Sequence, residues 1–367
     1  MVLLQKRDKR GPRLTYQYSL LPLLFSATGF LLAADSPPPA AESILVHLGP
    51  LTLKPSAFLE LIGMSRSATT ADSVSTRFGK IPLTDTPWET IGSARHSRLM
   101  LKSELPAGDF HFTTYLESDF MKFSTGQSPW RWRQYWGQAS YGKWELLGGQ
   151  AWSLLRPNRI GTDSDRNVMS TDVIEPAYEV GLLGARVRQI RIARPFGDYK
   201  VAVAWEGDGN LLTKVVRDKK NTHYELGAFG GRFGRKGATA SAVISLTPKL
   251  HFVNQQYWSK RAAYQALGVM PIGPNGLSTI EGAEYQVRRN TEIYAYGGLV
   301  YASRMDPTAN RIVRQWSAVV NEKFSVPLNW HGGVILSLQY SHLDRAVWNG
   351  KEGAMDYLMY RFRYTFN

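Results

Sequence analysis

The chain has no cysteine among its 367 residues, which excludes a disulfide framework, a thiol nucleophile and any cysteine-ligated metal. Beyond its N-terminal segment it has no apolar run approaching the roughly 18 residues of a membrane-spanning helix. Motifs of hydrolytic and nucleotide chemistry are missing too: there is no GxSxG elbow, no HExxH helix and no phosphate-binding loop. The glycine-rich stretch 227–237 (GAFGGRFGRKG) falls in a strand pattern and its turn rather than before a helix, and the seven histidines lack metal-ligand spacing. Glu117 and Asp119, two residues apart on one strand face, read as polar wall rather than as a catalytic pair. No catalytic residue, cofactor or metal is therefore expected. Acidic residues are also short, 30 against 44 basic ones, for a formal charge of +14. Such an excess attracts anions, and without a recognisable nucleic-acid-binding motif it does not point to nucleic acid.

What the chain has in quantity is glycine (33), tryptophan (11), tyrosine (18) and a period of two. In the last twelve residues, 356–367 (DYLMYRFRYTFN), Leu358, Tyr360, Phe362, Tyr364 and Phe366 alternate with Met359, Arg361, Arg363 and Thr365. Only an extended strand separates these sets into an aromatic face and a basic one. A strand of about 10 residues, tilted near 45°, rises about 23 Å, the height of the apolar band of an outer membrane.

The same alternation recurs. Arg98, Met100, Lys102 and Glu104 oppose Leu99, Leu101 and Leu105; past the turn at 106–108, Phe110, Phe112 and Leu116 oppose His111, Thr113, Glu117 and Asp119. Counted along the chain, such segments number about fourteen, while residues 211–220 read as loop and 248–280 as irregular with a short helix at 254–267. Residues 130–155 carry polar side chains on both parities, as a barrel wall covered from outside by a neighbouring subunit would, or an exposed sheet in a soluble protein. Short turns alternate with long loops at 64–94 and 156–179, the asymmetry of outer-membrane barrels. The predicted fold class is all-β: a transmembrane antiparallel barrel of about sixteen strands, within a range of 14–18.

Ahead of the barrel, Lys6, Arg7, Lys9, Arg10 and Arg13 precede an apolar segment from Leu20 to Ala34, so residues 1–34 read as an export signal. Its removal takes five basic residues and Asp8 and leaves +10. Residues 35–50 form a Pro/Ala-rich linker and lead-in, and 51–367 the barrel.

Lys54, Arg98, Lys102, Arg131, Arg133, Arg191, Arg361 and Arg363 fall on polar strand parities. Guanidinium forks inside a confined pore select anions. The competing reading is that Glu60, Glu104, Glu117 and Asp119 pair with them and neutralise the wall.

Four segments together resemble the DcaP-like outer-membrane porins: Arg98-Leu99 opening a strand, 115–120 (YLESDF), 131–133 (RWR) and 149–153 (GQAWS) before a loop. The likeness is densest over 95–205. It implies a homotrimer of sixteen-stranded barrels in outer-membrane lipid, passing small anionic solutes, dicarboxylates among them. It further implies that Arg131, Arg133, Gln150 and Arg191 line the pore near its narrowest part, which loop 156–179 constricts. The aromatic closing strand is the segment expected to engage the barrel-assembly machinery. Two other readings stay open: a barrel acting as an enzyme or surface binding protein, and a secreted carbohydrate-binding β-sandwich.

Overall fold

A period-two chain in a bilayer satisfies its backbone N–H and C=O groups only through ladders between neighbouring strands, closed so that no edge remains. The computed structural model of the chain has that arrangement. It describes residues 44–366 apart from 71–72, 76–80, 122–128, 164–172, 175–178, 208, 262–274, 305 and 326–331. The expected signal, 1–34, lies outside the described residues, as does the linker up to residue 43.

The strands are β1 (Val46–Leu48), β2 (Leu51–Arg66), β3 (Glu89–Ser93), β4 (Arg98–Ala107), β5 (Phe110–Asp119), β6 (Arg131–Tyr141), β7 (Trp144–Trp152), β8 (Arg186–Phe196) and β9 (Tyr199–Glu206). They continue as β10 (Asn210–Lys219), β11 (Thr222–Gly230), β12 (Lys236–Thr247), β13 (Leu250–Lys260), β14 (Asn275–Gln286), β15 (Thr291–Ala302), β16 (Asn310–Ser325), β17 (Gly332–Val347) and β18 (Glu352–Phe366). All belong to one antiparallel sheet, which closes where β18 pairs with β2 from Tyr357↔Arg66 to Phe366↔Ala57. The three-residue β1 pairs only with the start of β2. Strands β3 and β4 pair successively along β2 as one interrupted strand, and at the break Ser97 Oγ accepts a hydrogen bond from the Glu60 amide. The wall is thus a closed barrel of sixteen strands.

The two strands beyond the sequence count are β10 and β13. In β10, Lys214 is buried on the same parity as Leu212 and Val216; in β13, Asn254 and Gln256 share the outer parity with Phe252 and Trp258. Each face mixes polar and apolar residues, which hides the alternation. Residues 254–260, expected to begin a helix, continue strand β13.

The mixed parity of 130–155 also has a local cause. On β5 and β6 the register shifts between Glu117↔Gln134 and Ser118↔Trp132, leaving Arg133 as an extra, bulged residue. A bulge adds one residue to one strand and reverses the parity beyond it. Before it Arg131 faces Asp119 and Trp132 is exposed; beyond it Gln134 and Trp136 are buried. No neighbouring subunit is needed to account for that pattern.

One end of the barrel carries two-residue turns at 108–109, 142–143, 197–198, 220–221 and 248–249; the other carries the long segments 67–88, 120–130 and 153–185. Outside, exposed aromatics form two bands. Phe110, Tyr141, Trp144, Phe196, Tyr199 and Tyr285 lie toward the short turns, and Trp132, Trp205, Trp258, Tyr301 and Trp316 toward the long segments. Between them stand exposed Leu61, Leu146, Ile190, Val215, Leu226 and Leu338. An apolar belt between aromatic girdles is the surface of an outer-membrane barrel. Inside, apolar residues of the 153–185 segment, among them Leu154, Leu155, Ile174, Val180, Leu182 and Leu183, join the buried inner faces of β9–β18.

Candidate pore constriction

The 153–185 segment turns into the barrel immediately after β7, and a series of buried polar side chains holds its described residues to the inner wall. Glu206 on β9 accepts hydrogen bonds from Ser153 Oγ at 2.8 Å and the Leu154 amide at 2.6 Å. Glu225 on β11 accepts from the Asn158 amide at 3.0 Å, from Ser241 and from the buried Lys214 ammonium, which also donates to the Arg156 carbonyl at 2.6 Å. Arg159 grips Glu284 on β14 through two bonds, at 2.6 and 2.8 Å. Three inward glutamines receive the returning part: Gln339 accepts from the Ile174 amide, Gln315 from Val180 and Gln255 from Leu183, at 2.7 to 3.0 Å. A backbone that leaves the wall must find partners for its polar groups, and these side chains supply them.

Glu179 is buried against β16, accepting hydrogen bonds from Gln315 at 3.0 Å and Ser317 at 3.1 Å. Burial, only partly offset by the Ser317 bond, pushes this loop carboxyl up to about 8. It is therefore neutral at pH 7.

Charged groups concentrate on the walls built by β4–β8. Asp119 accepts from Arg131 at 2.5 and 2.8 Å and from Arg133 at 2.6 Å. Glu117 is bonded to Arg133 and Gln134 and lies 3.5 Å from Arg98. Arg131 and Arg133, two residues apart, share the inner face, and the bulge brings Gln134 onto it as well, so that all three reach the carboxylates of β5. Around the two carboxylates stand five guanidiniums: Arg98, Arg131, Arg133, Arg156 and Arg186. Arg156 and Arg186 close on one ring, Trp152, with guanidinium carbons 3.9 and 5.0 Å from its centroid. Burial, and behind it the charges of Arg133 and Arg98, holds Arg156 below the ordinary arginine range, with Glu117 acting the other way.

The other candidates are placed as follows. Arg361 and Arg363 both turn to Glu60 across β18 and β2. Lys102 lies 3.6 Å from Glu104, which also takes Lys54 at 2.8 Å. Arg191 is buried on β8 with an electrostatic link to Lys214, behind the inserted segment. Gln150 departs from expectation: it pairs with Tyr135 and Arg188 on the outer parity, receives the Tyr135 hydroxyl at 3.4 Å and donates to the Arg133 carbonyl. It braces the bulge from outside rather than lining the lumen. The competing reading of the arginine row, pairing with acids, is therefore what most of the row does. Sequence reading left out Arg156, which lies in the inserted segment, Arg186, which opens β8, and the three glutamines, which stand on strand faces as ordinary polar wall.

A cavity of 480 Å³ runs along the lumen beside the inserted segment, touched by Arg98, Arg361, Arg363, Val173, Ile174 and Lys323. With this geometry in hand, solved structures give the comparison. The outer-membrane channel DcaP of Acinetobacter baumannii superposes with a TM-score of 0.69 at 15% identity, covering 86% of this chain and 97% of that one. The chain has the porin fold. The anion-selective porin from Comamonas acidovorans (TM-score 0.57, 12% identity, 86% and 100% covered) and Salmonella typhi OmpF (0.57, 9%, 88% and 100%) are similar over the same extent. No family model and no curated protein matches the sequence. The porin fold excludes the secreted β-sandwich and places the chain in the outer membrane of a Gram-negative cell.

Proposed function

We propose that the protein is an outer-membrane diffusion porin with a preference for small anions, dicarboxylates among them, constricted by the 153–185 segment and assembled as a homotrimer. The observation that carries the anion preference is the cluster of Arg98, Arg131, Arg133 and Arg156 about Glu117 and Asp119, four guanidiniums against two carboxylates. In a narrow, low-dielectric passage such an excess lowers the barrier for anions and raises it for cations. The homotrimer is supported by the outer face of β5–β8. There Gly137 and Gly148 pair in the floor of a 420 Å³ depression edged by Phe112, Leu146 and Ile190, and Gln150 and Arg188 lie on the same outer parity.

The test is a planar bilayer holding the detergent-purified protein under a potassium chloride gradient. The expected outcome is stepwise current with a reversal potential displaced toward that of chloride, and a smaller displacement in the R131A/R133A double variant. A reversal potential of zero or of cation sign in the native protein would overturn the anion preference.

A further inference from the structure

Between Glu225 and Glu281 the sequence has no acidic residue, and both of those carboxylates are used elsewhere. Glu225 is spent inside the barrel on Lys214 and His223, and Glu281 lies at mid-height on the outer wall, where Asn254 donates to it. Within this acid-free stretch the chain makes the turn 231–235 and ends β13, both at the long-segment end of the barrel. The strand register therefore gathers Arg232, Arg235, Lys236, Lys260 and Arg261 at one place on that rim; the adjoining turn 207–209 brings a single acid, Asp208. Lys236 and Lys260 are direct partners across β12 and β13. Like charges set opposite one another destabilise a sheet, and an anion held between them removes that cost. Both lysines are exposed on the outer parity, in step with Ala238 and Trp258, so the pair stands just above Trp258 of the upper aromatic band and outside the lumen. Arg232 and Trp205, also of that band, close together on Gly209. Phe233, in the middle of the turn, is 82% exposed at φ +60°, and Arg261, whose guanidinium closes on Gly234, has φ +51°. These are the two non-glycine residues with positive φ among the described residues. Such backbone is sparse for bulky side chains and collects where the strain serves a contact.

We infer that this rim patch binds the phosphate groups of the phosphorylated glycolipid in the outer leaflet of the membrane, with the Phe233 ring resting in the same interfacial layer. The inference rests on the outer-membrane placement and is independent of any anion preference of the lumen. Short turns face the periplasm, so the patch lies on the external side, and just above an aromatic girdle is the level at which lipid headgroups sit. Clustered Lys and Arg at that level draw anionic lipid, and the arginine forks match phosphate oxygens in pairs. A phosphate seated between Lys236 and Lys260 relieves their repulsion. The face of β11–β13 that carries the patch is not the β5–β8 face offered to neighbouring subunits, so lipid reaches it.

The experiment titrates the detergent-purified protein with lipid A carrying both its phosphates and counts bound lipid by native mass spectrometry. The expected result is saturable binding that the dephosphorylated lipid does not reproduce, with the apparent Kd raised roughly thirtyfold in K236Q/K260Q, the effect of two lysines lost at a lipid surface. K219Q/K220Q removes the same charge at the short-turn end and is expected to bind as the native protein does. Heat-modifiable mobility on gels confirms that each variant is folded. Equal binding by the native protein and folded K236Q/K260Q, or equal binding of the dephosphorylated lipid, overturns the site. Displacement of the lipid by an equal concentration of inorganic phosphate makes it a site for free anions and overturns the lipid assignment. The reversal potential of K236Q/K260Q under a potassium chloride gradient is expected to match that of the native channel; a shift as large as that of R131A/R133A would make the patch part of the pore mouth instead.

Discussion

Gly298 on β15 lies directly under the Val180 carbonyl, so close that a β-carbon at 298 would overlap it. One residue along the segment, Gly181 adopts φ +93° against the Thr279 carbonyl of β14. These contacts bring the segment's backbone to within touching distance of the wall's, and only glycine permits them. Replacing Gly298 by Ala is expected to lift the segment at a cost of about 1–3 kcal/mol, the usual penalty of overpacking. Single-channel conductance should then rise or become noisy while the barrel keeps its heat-modifiable mobility; unchanged conductance would mean that the segment does not limit the pore.

The ion-pair knot on β5 and β6 predicts a large asymmetry between removing one partner and keeping all. Replacing Asp119 by Asn leaves Arg131 and Arg133 sharing a neutral amide, and should cost roughly 3–5 kcal/mol, as breaking buried pairs does. The same change adds one net positive charge to the constriction. Thermal unfolding in detergent should fall, and the reversal potential should move further toward chloride.

Glu179 makes the inserted segment sensitive to pH. Its carboxyl ionises at about 8 in place against an ordinary value of 4.5, so the native state holds a proton that the released segment gives up. Attachment is therefore strongest at and below the ordinary value, weakens as pH rises from there to about 8, and stays at its weakest above that. Open-channel noise should grow over that window, and E179Q should flatten the dependence. Noise in E179Q that still tracks pH would assign the effect to another group.

Lys214 tests the opposite edge of the same segment. Its buried ammonium holds the Arg156 carbonyl, Asn158 and Glu225 together. K214M keeps the volume but leaves Glu225 short of a cation and is expected to destabilise the folded barrel by about 3 kcal/mol, read as a shift of the denaturant midpoint in detergent.

On the outer wall, Glu281 of β14 sits midway between Tyr285, in the lower aromatic band, and Leu277, which pairs with Trp258 and Tyr301 of the upper one. The side-chain amide of Asn254 donates to it at 3.1 Å. A carboxylate at this height faces hydrocarbon, so E281L is expected to stabilise the barrel in lipid by about 1–2 kcal/mol, less than the 2–4 that lysine or arginine costs there. A loss of stability on that substitution would show that the carboxylate is covered or paired in the assembled protein.

Strand identity was legible wherever one face met hydrocarbon and the other met a polar lumen, as in β4, β5, β9 and β18. It failed in β10 and β13 for a definite reason. The inserted segment gives those strands a partly apolar inner face, with Leu212 and Val216 beside Lys214 and with Val253 and Tyr257 beside Gln255. A loop packing against the inner wall is a long-range event, and no local pattern announces it. The bulge at Arg133 is local, yet its effect on parity was visible only once the partner strand fixed the register.

By itself the sequence determined an all-β transmembrane barrel with a basic balance, because a period of two, aromatic strand ends and alternating turn lengths follow from chain chemistry and bilayer thickness alone. Which charges cancel was decided only by the tertiary structure. Glu117, Asp119 and Glu60 choose their arginines through cross-strand register, and Arg156 and Arg186 meet at Trp152 because the chain brings them together from two ends of one inserted segment. Electrostatic pairing depends on distances of a few ångströms between residues remote in sequence, and only the closed barrel sets those distances.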